Sequence, residues 1–187
     1  MKILLKKALP VVVLVVIFAV AVAVSLFPSP GVELESTEPR SFATQHIKGT
    51  LPAGWELASA LTQAGEGALR FQGPGGSVAI AYYTAVENVG DNADNTMAEI
   101  VAEIVQTIEN SQGISLRGVS DMPVVGATAK RIDVAASENT RLLYIWLRQD
   151  VGSGMVFNVV AETPDSEQVA SADALTASLE YQLLEAD

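Results

Sequence analysis

An almost unbroken apolar run from Ala8 to Phe27 constrains this chain more than any other feature of its sequence. Wound as an α-helix, those residues reach about 30 Å, the hydrocarbon thickness of a bilayer. Pro10 falls in the first turn, where a missing N–H costs little, and Pro28 and Pro30 mark the stop. Lys2, Lys6 and Lys7 precede the run, whereas the first ionisable groups after it are Glu33, Glu35 and Glu38. The positive-inside rule then puts the N-terminus in the cytoplasm and everything after residue 28 outside. The expected organisation is a cytoplasmic N-terminus (1–7), a transmembrane helix (8–27), a flexible linker (28–48) and an extracytoplasmic domain (49–187), a single-pass protein of the plasma membrane. Ala21-Val22-Ala23 offers a signal peptidase a small-x-small pattern, so a cleaved signal peptide is the competing reading. The length of the run favours retention, and both readings export the domain.

At 187 residues the chain has room for one ordinary core and an appendage. Its 11 basic residues face 22 acidic ones, a net charge of −11, which removes the electrostatic footprint that a nucleic-acid partner needs. The first 27 residues hold three lysines and no acid, so the remainder carries 8 basic against all 22 acidic groups, a net charge of −14. Such a surface repels anionic headgroups, and attachment to a bilayer is expected through residues 8–27 or through a partner protein. The absence of cysteine excludes disulfides, thiolate zinc sites, cysteine nucleophiles and lipid attachment through an N-terminal cysteine. One histidine per chain rules out a multi-histidine metal site.

Residues 28 to about 48, rich in Pro, Ser and Glu without apolar periodicity, read as linker. From Leu51 short apolar segments alternate with turns. Trp55 to Ser59, Ala68 to Gln72 and Ser77 to Val86 are predicted strands, the last two joined by Gly73-Pro74-Gly75-Gly76. Met97, Ile100, Val101, Ile104, Val105 and Ile108 keep helical spacing, with Thr96 and Glu99 as a capping box and Asn110 to Gly113 as the stop. Strands are then predicted at Ile114 to Val119, Ala127 to Ala135, Arg141 to Gln149 and Met155 to Glu162. In the second of these, Ile132 and Val134 share one face while Arg131 and Asp133 share the other, which is expected to meet water. Arg141 to Gln149 is apolar on both faces and is expected at the centre of the sheet. Thr163-Pro164 is the predicted start of a last helix whose stripe is Val169, Ala172, Leu175, Leu179 and Leu183. The order βββαββββα implies an α+β class, a central antiparallel sheet with helices packed on it.

Few residues invite chemistry. His46, between linker and domain, lacks the rigid scaffold of a general base and reads as a surface or linker histidine. The loop at 73–76 lacks the Lys-Ser/Thr of a phosphate-binding P-loop and precedes no helix, so it reads as a hairpin. Asp91, Asn92, Asp94 and Asn95 lack EF-hand spacing and read as helix-capping groups rather than a calcium site. Tyr82, Tyr83, Tyr144 and Trp146 lie on predicted strands, where aromatics fill a core more often than they line a ligand cleft. No catalytic, cofactor-binding or metal-binding residue is therefore assigned, and no cofactor is expected.

Pro52-Ala53-Gly54-Trp55 before the first predicted strand, Phe71-Gln72-Gly73-Pro74-Gly75-Gly76-Ser77 between the second and third, Val125-Gly126-Ala127-Thr128-Ala129-Lys130-Arg131-Ile132, and the terminal Ser178-Leu179 carry a resemblance. Over residues 50 to 184 the chain resembles the PsbP-like superfamily. The resemblance implies an α/β/α sandwich around an antiparallel sheet. It also implies a protein that is no enzyme and serves as an extrinsic or assembly subunit of a membrane complex, or as an envelope protein near lipid transport. Relatives of the LpqN type are tethered through a lipidated cysteine that this chain lacks, which leaves the anchor to residues 8–27. The leading expectation is a bacterial, membrane-anchored accessory subunit of an integral membrane protein complex, respiratory by analogy only. A cell-envelope protein that binds a lipid or small apolar ligand is the alternative, and a hydrolase built on Ser, Asp and His46 is a more distant third.

Overall fold

Alternation of apolar and polar residues every second position produces strands, and where both faces are apolar the strand must be covered twice. In the computed structural model, which describes residues 37–86, 93–136, 142–150, 152–164 and 166–182, this rule sets the architecture. Those residues form β1 (Arg40–Ala43), β2 (Ile47–Leu51), β3 (Glu56–Gln63), β4 (Glu66–Gln72) and β5 (Val78–Ala85). They continue with α1 (Ala93–Glu109), β6 (Ile114–Asp121), β7 (Ala127–Ala136), β8 (Leu142–Asp150), β9 (Met155–Thr163), α2 (Val169–Ser178) and β10 (Glu180–Tyr181). Seven strands make one antiparallel sheet in the order β3-β4-β5-β9-β8-β7-β6, and β1-β2-β10 make a small second sheet. The class is α+β, as the sequence order implies.

Strand β8 lies inside the large sheet between β7 and β9 and is buried along most of its length, as expected of a segment apolar on both faces, although the middle strand is β9 and not β8. Tyr144 and Trp146 point to the face covered by α2 and the small sheet, while Ile145 and Leu147 point to the face covered by α1. Two core layers result. The first joins Trp55, Phe71, Tyr83, Trp146 and Phe157 to Val169, Ala172, Leu175 and Leu179. The second joins Met97, Ile104 and Ile108 of α1 to Ile132, Val134, Ile145, Leu147 and Val160. Helix α1 packs over β6, β7 and β8.

Several boundaries differ from expectation. The stretch read as linker at 28–48 contains β1 and the start of β2. Its apolar residues are sparse, yet Ile47 is fully buried and Phe42 meets the Phe71 ring edge-on at 5.6 Å. Tertiary contact, not local pattern, makes this hairpin. Thr163 is the last residue of β9, paired with Leu142, so the last helix does not begin there; a 3-10 turn at Ser166–Gln168 leads into α2 instead. Helix α2 ends at Ser178, and the buried Leu179 adopts an extended conformation that starts β10. Leu183 lies outside the described residues. Thr96 and Glu99 both fall inside α1, which begins at Ala93, so they do not form its capping box. The stop after Glu109 is as predicted, with Gly113 at a φ of 82°. Residues 1–36, including the span predicted at 8–27, lie outside the described residues. Among the described residues no helix is long and apolar enough to cross a membrane.

Candidate functional site

The glycine and tryptophan motifs that carry the family resemblance prove to be a packing lock. Trp55 is fully buried, and its indole lies so close to Gly73 that a Cβ there would stand 2.6 Å from the ring. Its Nε1 donates to Ser171 Oγ of α2 at 3.0 Å, and Ser171 Oγ donates to Gln168 O at 2.8 Å. Gly54 and Gly75 take positive φ of 77° and 65° beside the rings of Pro74 and Pro164. The loop at 73–76 is a tight connection between β4 and β5, closed by Gly73 N donating to Ser77 O at 2.8 Å, as the hairpin reading expects.

His46 is not the surface residue expected. It is 6% exposed, lies parallel to the Tyr181 ring at 6.2 Å, and its carbonyl accepts from Gln182 N at 2.8 Å. The β1–β2 turn folds back onto β10, and that closure buries the imidazole. Asp91 and Asn92 lie outside the described residues, while Asp94 and Asn95 fall in the first turn of α1.

The four aromatics weighed as a cleft are divided by the sheet. Tyr82 packs against the α1 layer, whereas Tyr83, Tyr144 and Trp146 belong to the α2 layer, because adjacent residues of a strand point to opposite faces. Tyr83 Oη donates to Gln63 O at 3.1 Å over Gly67, where a Cβ would stand 2.5 Å from that hydroxyl. Burial raises the phenol pKa of Tyr82, Tyr83 and Tyr144, which keeps all three neutral.

Two charged clusters were not assembled from the sequence. At the edge of α2, Arg131 Nη1 donates to Asp173 Oδ2 at 2.7 Å, and Arg131 Nε lies 2.8 Å from Asp133 Oδ1. Trp146 Nε1 donates to Asp173 Oδ1 at 2.6 Å, and the Arg131 guanidinium lies 6.0 Å from the centre of the Tyr144 ring. Burial alone would lower the Arg131 pKa, but the Asp173 and Asp133 carboxylates outweigh it and raise it. Arg131 and Asp133 were expected to meet water; α2 covers them until about a quarter of each side chain remains exposed. This cluster is the candidate site. Both carboxylates are engaged with Arg131 or Trp146, which ties α2 to the sheet through charge-assisted hydrogen bonds.

The second cluster is deeper. Arg148 Nε and Nη2 donate to Asp150 Oδ1 and Oδ2 at 2.5 and 3.0 Å. Its Nη1 donates to the carbonyls of Thr176 and Ala177 at 3.1 and 3.2 Å, closing the C-terminal turn of α2 with a cation. The guanidinium also lies 5.4 Å from the Phe157 ring centre. Alternation along β8 puts residues 142, 144, 146 and 148 on one face, so Arg148 facing the aromatic core was legible. Its helix partner, 28 residues away, was not.

No known family profile matches this chain, and no curated protein matches it. Among solved structures, LpqN of Mycobacterium tuberculosis, described as involved in cell envelope biogenesis, is 15% identical with a TM-score of 0.46, covering 78% of this chain and 91% of its own. The solution structure of the cyanobacterial PsbP, CyanoP from Synechocystis, is 14% identical with a TM-score of 0.51, covering 84% of this chain and 99% of its own. The described domain therefore shares its fold with a cyanobacterial PsbP, a mixed α+β architecture of antiparallel sheet between helical layers.

Proposed function

We propose that this chain is a membrane-anchored, extracytoplasmic accessory or assembly subunit of a larger membrane protein complex, acting by contact rather than by catalysis. The observation that carries the reading is the joining of two features in one chain. A lysine-flanked apolar run of bilayer length precedes a domain with the fold of a cyanobacterial PsbP. The state of the reactive groups supports it: the lone imidazole is stacked and buried, and the acidic clusters are paired with arginines inside the domain. An energy-transducing complex, such as a respiratory assembly, is the partner suggested by analogy with PsbP.

The test uses the full chain in its own membranes. After an alkaline wash the protein should stay with the bilayer, and the mature chain should begin at Met1 or Lys2. Gentle detergent extraction and mass spectrometry should then find integral membrane subunits co-eluting in fixed stoichiometry. A mature N-terminus at Val24 would remove the anchor. Bound lipid without any protein partner would favour the envelope ligand-binding alternative instead.

A further inference from the structure

Strand β3 ends the large sheet, and among the described residues nothing pairs with its outer side. Folded proteins commonly blunt such edges with lysine, proline or a bulge, because free N–H and C=O groups template pairing with another chain. The β3 bulge sits at Leu57 to Ser59, which leaves Ser59 to Gln63 regular. No residue from Leu57 to Thr62 carries a charge, and Leu61 is 79% exposed. The opposite edge, β6, differs, since its bulge places Arg117 in mid-strand.

Strands β3 and β4 are joined by the two-residue loop Ala64-Gly65, and the flanking pair is Gln63 with Glu66. In such a hairpin the flanking pair exchanges both of its hydrogen bonds, so the backbone of residues 63, 61 and 59 faces β4 and that of residues 62 and 60 faces outward. An antiparallel copy centred on Leu61 would set Ala60 against Thr62 of the second copy, and Thr62 against Ala60. All four outward N–H and C=O pairs then close. The two Leu61 side chains meet as a non-hydrogen-bonded pair, the closer of the two antiparallel geometries, with Cα atoms about 4.5 Å apart.

The charges agree with this register. Ser59 pairs with Arg70 and Gln63 with Glu66, all on the face that carries Leu61. Gln63 Nε2 donates to Glu66 Oε1 at 2.5 Å. Two-fold pairing about Leu61 places Ser59 opposite Gln63 of the other copy. Arg70 lies behind Ser59 and Glu66 behind Gln63, so the cation of each copy faces the anion of the other across the pair. Each copy thus contributes one cation, Arg70, and one anion, Glu66, in opposite order.

We propose that β3 is the docking edge for a second copy of this chain, the two large sheets joining through an antiparallel pair centred on Leu61. This pairing is independent of the identity of any membrane complex. The chain contains no cysteine, so a single introduced one reports the register without background. With the full chain in mild detergent, Leu61→Cys should form a disulfide-linked dimer under mild oxidation, at least about tenfold faster than Ser59→Cys, whose two copies lie several residues out of reach. Adding Ala60→Pro to Leu61→Cys should abolish the cross-link, because it removes an outward N–H while leaving the β3–β4 ladder whole, and the circular dichroism spectrum should stay unchanged. A Leu61→Cys protein that stays monomeric, that cross-links as fast with Ala60→Pro present, or that is matched by Ser59→Cys would overturn the pairing.

Discussion

At the scale of single residues, glycines govern how closely aromatic rings approach the sheet. Gly73 admits the Trp55 indole, and Gly67 admits the Tyr83 hydroxyl. Replacing Gly73 with alanine forces a Cβ into the indole, an overpacking that should cost about 1–3 kcal/mol in a urea titration. A Gly73→Ala protein as stable as the parent would refute the lock. Asp150 makes a pH-dependent case. Burial raises its carboxyl pKa above the ordinary range, and the Arg148 hydrogen bond and charge pull it back only in part. A folded pKa above the unfolded one means that the native state keeps the proton to higher pH. The contribution of Asp150 to stability should therefore fall as pH rises from the usual aspartate range through the folded pKa, then level off. The stability difference between the parent and Asp150→Asn, measured by denaturation across that window, should carry this slope; the opposite slope would assign the carboxyl a lowered pKa. The glycine and tryptophan signature was legible in the sequence, but its reason was not, because Trp55 and Gly73 meet only when β3 and β4 pair.

At the scale of elements, period-two and helical patterns located β3 to β9 and both helices, with ends displaced by a few residues. Arg131 and Asp133 show where the pattern runs out: alternation placed them on one face, but only α2, arriving with Asp173 from 42 residues away, decided that the face would be covered. The β1–β2 hairpin had no signal of its own beyond Phe42, Ile47 and Leu51. It is held from outside, by Ser178 Oγ accepting from Thr50 N at 2.9 Å and donating to Thr50 O at 3.1 Å, and by β10 on its flank. Removing it would uncover Phe71, Leu175 and Leu179. A chain starting at residue 52 should thus melt far below one starting at residue 38 and bind a hydrophobic dye, since losing several buried apolar side chains costs about 2–5 kcal/mol apiece. Equal melting temperatures would show the hairpin to be an ornament.

At the scale of the whole molecule, charge and apolarity are segregated along the chain. A net charge of −14 after residue 27 should keep a version lacking residues 1–27 off anionic vesicles at every salt concentration, whereas the full chain should co-sediment with them. Sedimentation of the shortened version would show an attachment site on the domain itself. The sequence by itself determined the α+β class, the order of the two helices and the seven strands of the large sheet, and the interior place of β8, because each depends on local periodicity and on which faces must leave water. Only the tertiary structure decided that His46 is enclosed, that the four aromatics fall on two sides of a sheet, and that a presumed linker closes one face of the core. Those outcomes depend on contacts between residues far apart in the chain, whose energies no short window of sequence contains.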